Sequence, residues 1–236
     1  GIDPNDPPDI RQKITRELTQ AMKEAGATMG LTCTPESVKC AIDYLDYWII
    51  AYGRFAPRLY GQAKDKNAGL CIYANNTMMG NGTYFSRFMF GFFPWANGLK
   101  GILPWTYPIS PNRFSQMKTK EAKSKAEGPL NVIDGFLGPD GRPVPTIQWE
   151  LSREGIDDAK YAFTVETLAK KARDSGKAGA VKAAEEAEKL LSAIKSTVDK
   201  NAVNYYFEDG DTFEPVAEDN WSAQSFEERR GQLIDA

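Results

Sequence analysis

Ala68-Gly69-Leu70-Cys71-Ile72-Tyr73 and Leu99-Lys100-Gly101-Ile102-Leu103-Pro104-Trp105 are two short, largely apolar runs, and Thr83 to Asn97 between them has the length of a helix. The order is strand, helix, strand. Strands buried on both faces read as near-continuous apolar runs, and their alternation with helices marks a parallel sheet. Toward the N-terminus, Leu45 to Ala51, rich in Tyr, Trp and Ile, and Ala27 to Thr32 repeat the strand pattern. Residues 9–25 set Ile10, Ile14, Leu18 and Met22 on one stripe, with Pro7-Pro8-Asp9 at the start and Gly26 as the stop, which predicts an amphipathic helix.

Toward the C-terminus, residues 108–149 break this rhythm with six prolines, from Pro108 to Pro145, and a Lys-rich patch from Lys118 to Lys125. They read as an excursion loop with a hairpin at Pro139-Asp140-Gly141. A helix is predicted from Thr146 to about Arg173. A second, about 177–199, spaces Val181, Ala184, Ala187, Leu191, Ile194 and Val198 by threes and fours. An acidic turn region, Glu208 to Asp219, then precedes a closing helix from about Ser222 whose Phe226 and Leu233 face inward.

The count is four or five barrel-type strands, where a closed barrel needs eight. Either a preceding segment, on the same or another chain, carries the remainder, or the strands form an open sheet that another surface covers.

The composition is that of an ordinary globular chain of 236 residues, 42% hydrophobic and 26% charged. A net charge of −3, spread along the chain, gives no field to gather nucleic acid. No apolar run is long enough for a transmembrane helix. Nine aromatic residues crowd between Tyr84 and Tyr107; a core accounts for most of them. The chain has no histidine, so carboxylates must carry any acid–base work. Cys33, Cys40 and Cys71 have no metal-binding spacing, and no metal or other cofactor is expected. The opening Gly1-Ile2-Asp3-Pro4, without an initiator methionine, reads as the start of a processed or trimmed product.

Several strings resemble a family. They are Ile72-Tyr73-Ala74-Asn75, Arg87 on the following helix, Gly91, Trp95, and Gly98-Leu99-Lys100-Gly101-Ile102-Leu103-Pro104-Trp105-Thr106-Tyr107. Asp134-Gly135-Phe136-Leu137, Gly138-Pro139-Asp140-Gly141 and the most specific string, Glu150-Leu151-Ser152-Arg153-Glu154-Gly155-Ile156-Asp157-Asp158, follow in order. Together they resemble the C-terminal domain of bacterial glycoside-hydrolase-like proteins, related to the barrel of the β-N-acetylgalactosaminidases, over about half of the chain.

That resemblance implies an α/β fold: the C-terminal half of a (β/α)8, TIM-type barrel with additional C-terminal helices. Residues 1–175 would hold about strands four to eight, with the excursion near 108–145, and 176–236 would be helices packed on the barrel. Ile72-Tyr73 would belong to the seventh strand and Ile102 to Trp105 to the eighth. Asp3 would lie at the end of the fourth, where an Asp-Glu pair in the related hexosaminidases orients the substrate acetamido group and protonates the leaving oxygen. In this chain Pro4 follows Asp3 directly, without the Glu.

Tyr73, Asn75 and Asn76 sit where a strand gives way to a loop; they either contact sugar hydroxyls or shape the turn. Trp105 and Tyr107 end the next strand with rings suited to stacking on a pyranose face. Asp134, in the excursion, is a further candidate for substrate contact. Trp95, inside a helix, reads as core. Glu150, Arg153, Glu154, Asp157 and Asp158 lie at helical offsets. Carboxylates side by side on one helix do not flank a scissile bond roughly 5–10 Å apart. They therefore read as an ion network that locks the helix to the body, anchored across the fold by Arg87.

Two functions are expected from these readings. One is a glycoside hydrolase, or a domain of one, with Asp3 as its catalytic carboxylate. The other is a non-catalytic carbohydrate-binding or structural barrel in an extracellular or cell-surface assembly. Carbohydrate is the expected partner of both.

Overall fold

The computed structural model describes residues 7–33, 41–51, 58–74, 84–104, 135–137, 142–145, 147–202 and 221–236. Along the chain these form α1 (Pro8–Glu24), β1 (Gly30–Cys33), β2 (Tyr47–Ala51), α2 (Arg58–Asp65), β3 (Gly69–Ala74), α3 (Phe85–Phe90) and α4 (Phe92–Ala96). β4 (Gly101–Pro104), β5 (Gly135–Leu137), β6 (Pro143–Pro145), α5 (Ile147–Asp174), α6 (Ala178–Ala202) and α7 (Ala223–Asp235) follow. The protein is mixed α/β and mostly helical, with a four-stranded parallel sheet. It divides into two compact units: Gly1–Asn75 with Leu99–Leu103, and Asn76–Gly98 with Pro104–Ala236.

The first unit holds the sheet, whose strands run in chain order, β1-β2-β3-β4. Gly30 pairs with Tyr47, and Tyr47 in turn with Gly69, so three strand starts lie in one row. At Gly69 a Cβ would stand 2.6 Å from the Tyr47 ring, so the ring packs directly over the glycine. Leu70, Cys71 and Ile72 are consecutive and all buried, so β3 is covered on both faces, as its unbroken apolar run dictates. In β2, by contrast, Trp48 and Ile50 are fully buried while Tyr47 is 42% exposed.

Asp46 ties the strand starts together. Its carboxylate accepts the Met29 N–H at 2.8 Å, and its carbonyl accepts the Gly69 N–H at 2.7 Å. Its own N–H donates to the Met29 carbonyl at 2.9 Å. Lys23, in the last turn of α1, completes the arrangement with an ion pair to the Asp46 carboxylate.

Two features of this unit differ from expectation. Helix α2 was not legible, because its eight residues offer too short an apolar pattern. Asn67, at φ 53°, ends it by turning the chain so that the Ala68 N–H returns to the Ala63 carbonyl at 2.8 Å. Helix α1 forms where its periodicity predicts, yet Ile10, Leu18 and Met22 are 43, 53 and 42% exposed. The stripe faces solvent.

In the second unit, the single helix expected over 83–97 is two. The break falls at Gly91, where a Cβ would stand 2.6 Å from the Arg87 carbonyl oxygen and 2.8 Å from that of Gly155. Phe88 and Phe92 are fully buried and meet Trp221 at ring centroid distances of 4.5 and 5.6 Å, while Phe226 stacks on Phe92 at 6.0 Å. Each such ring removed from water contributes about 1.5–3 kcal/mol. Ala184, Ala187, Leu191, Ile194 and Val198 form the buried stripe of α6, and Phe226 and Leu233 that of α7. The Ser222 hydroxyl caps α7 by accepting the Ser225 N–H at 3.2 Å.

Strands β5 and β6 pair antiparallel, Phe136 opposite Val144, around the expected turn at Pro139-Asp140-Gly141, which lies outside the described residues. Among the described residues no helix is long and apolar enough to cross a membrane.

The Lys23 hydrogen bond, and next the Met29 N–H, hold the Asp46 carboxyl below its ordinary pKa. The folded value is therefore below the unfolded one. The stability that Asp46 contributes is complete above the unfolded value of about 3.9 and is lost as pH falls through the folded value. In urea titrations, Asp46→Asn is expected to lower the midpoint at pH 7 and to lower it less at pH 3. An equal loss at both would show that the charge contributes nothing.

Candidate functional site

The candidate residues form two groups. The first is the C-terminal end of the sheet. Tyr73 is the penultimate residue of β3, paired in register with Ala51 at the end of β2, and β4 ends at Pro104. Parallel strands bring these ends to one edge. Asp3, Asn75, Asn76, Trp105, Tyr107 and Asp134 lie outside the described residues.

The second group is an ion cluster built where α3 crosses α5. Gly155 makes the crossing possible: a Cβ there would stand 2.2 Å from the Arg87 carbonyl oxygen, so the two backbones touch with no side chain between them. At this spacing the Arg87 guanidinium reaches Asp158, one turn beyond Gly155. Its Nε donates to Asp158 Oδ2 at 2.6 Å and its Nη2 to Oδ1 at 3.1 Å, a bidentate pair. Arg87 Nη1 donates to Glu227 at 2.8 Å, and the guanidinium lies 4.6 Å from the centroid of the Phe226 ring.

From α7, Arg230 adds a third side to the cluster. Its Nε donates to Asp158 Oδ1 at 2.6 Å, its Nη1 to the Glu154 carboxylate at 2.8 Å and its Nη2 to the Glu154 carbonyl at 3.0 Å. Asp158 is 0% exposed and Arg87 4%. The Arg87–Asp158 pair is therefore buried, and Arg230, Glu154 and Glu227 complete it from the more accessible side.

Protonation follows from this packing. Burial alone would lower the Arg87 pKa, but hydrogen bonds to Asp158 and Glu227 outweigh it and hold the guanidinium above its ordinary value. Burial pushes the Asp158 carboxyl up, against the pull of Arg87 and Arg230. Glu154 is held down, chiefly by its hydrogen bond from Arg230.

The expected network residues fall into two layers. Glu154 belongs to the inner cluster with Arg87, the two linked through Asp158 and Arg230. Arg153 lies on the outer side of α5, 2.9 Å from Glu150, 2.7 Å from Glu154 and 3.7 Å from Asp157. Its side chain is 55% exposed, so water screens these outer pairs. Sequence reading missed Arg230 and Glu227. Arg230 carries a signal all the same, for it stands four residues after Phe226 and three before Leu233, on the stripe that faces inward.

Chemically the inner cluster is closed. Both Asp158 oxygens accept from guanidinium groups, so the carboxylate ties α3, α5 and α7 together. Trp95, read as core, is half-buried, with the Lys195 ammonium 4.8 Å from its ring centroid. Burial pushes the Cys71 thiol up, away from nucleophilic use. Among the described residues no group of three or more Cys, Asp or Glu could hold a metal ion. Compared with known proteins, the chain matches no family model and no curated relative.

Arg87→Met would leave Asp158 buried without its bidentate partner and is expected to cost about 3–5 kcal/mol in chemical denaturation. Arg153→Ala, whose side chain lies in water, is expected to lower the denaturation midpoint far less. Comparable losses would mean that burial does not separate the two layers. Gly155→Ala is expected to lower stability by about 1–3 kcal/mol or more, since a methyl group must force the helices apart. A thermal midpoint unchanged from wild type would refute the close approach.

Proposed function

We propose that this chain is a carbohydrate-facing domain of glycoside-hydrolase type, whose sheet is an arc of a (β/α)8 barrel. The observation that carries the reading is the strand order. Four parallel strands succeed one another in chain order, whereas a doubly wound sheet reverses direction at a switch point. Barrel enzymes use the C-terminal ends of their strands. Tyr73 occupies that end of β3, and Trp105 follows directly on Pro104, the last residue of β4.

Further support comes from the edges of the sheet. β1 and β4 each have a neighbour on one side only among the described residues, and an open edge calls for cover. A preceding barrel segment, on this chain or another, would supply it. In this reading Tyr73, Asn75, Asn76, Trp105, Tyr107 and Asp134 line the sugar site, with Asp3 as its carboxylate. The protein works outside the cell or at its surface, where the resembling domains commonly act.

A specific observation favours a second version in which sugar is bound but not cleaved: proline stands directly after Asp3, where the related hexosaminidases carry the glutamate that protonates the leaving group. A glycan array and a panel of aryl glycosides that includes N-acetylgalactosaminides separate the two. Binding that weakens roughly tenfold in Trp105→Ala, a loss of about 1.4 kcal/mol, is expected in both. Turnover abolished by Asp3→Ala selects the hydrolase, and binding without turnover selects the non-catalytic version. Failure to bind any glycan or cleave any glycoside would overturn the carbohydrate reading.

A further inference from the structure

No further inference is drawn: the strongest candidate, the apolar cavity of about 320 Å³ between α5, α6 and α7 floored by Ala169, Ala184 and Ala187 and rimmed by Tyr161, Leu168 and Ile234, carries nothing because nothing in the structure shows what occupies it.

Discussion

The helical unit depends on a salt bridge that water does not reach. Taking a guanidinium and a carboxylate out of solvent costs several kcal/mol per ion, and their attraction repays this only when geometry is good and the remaining donors and acceptors are filled. Arg87 and Asp158 meet both conditions, bidentate with each other and completed by Glu227 on one side and Arg230 on the other. Such a pair adds less to net stability than apolar residues of the same volume could. Its geometric demand falls on α3, α5 and α7 together, since each supplies a member of the cluster.

Two glycines make that geometry available. Gly91 interrupts what would be one helix, and Gly155 lets the backbone of α5 lie against the carbonyl of Arg87. The aromatic core is organised around the same place: Phe226 stacks on Phe92 and receives the Arg87 guanidinium on its ring, so charge and apolar burial share one side chain. The sheet unit uses a different device. There one half-buried residue, Asp46, gathers the beginnings of three strands, its carboxylate accepting the Met29 N–H and its backbone bonding Met29 and Gly69.

Periodicity made much of this architecture readable. The apolar runs at 45–51, 68–73 and 99–105 each overlap a strand, and the spacing of Ala184 through Val198 marks the buried face of α6. Short elements are harder: α2 has too few turns to show a pattern, and the break at Gly91 depends on a contact with Gly155, far away in sequence. Arg87 and Glu154 could be singled out because they sit within distinctive strings, whereas Arg230 belongs to a helix read mainly for its apolar stripe. The exposed Ile10, Leu18 and Met22 show a limit of another kind. Amphipathic spacing tells which residues share a face, but not what that face rests on. The sugar-contact candidates at the strand ends draw on resemblance, and of these Tyr73 alone falls among the described residues.

The span of the Arg87 cluster also bears on how the chain must be made. Asp158 follows Arg87 by 71 residues and Glu227 by 140. At a translation rate of about 5–20 residues per second, some 4–14 s separate the synthesis of Arg87 from that of Asp158. During this interval the aromatic segment around Phe88 and Phe92 has neither its counter-ion nor Trp221 and Phe226 to cover it. Completion of this unit thus waits on α7: until Trp221 and Phe226 have been made, the aromatic surface around Phe88 and Phe92 lacks its cover, an interval in which a holding chaperone would find its target.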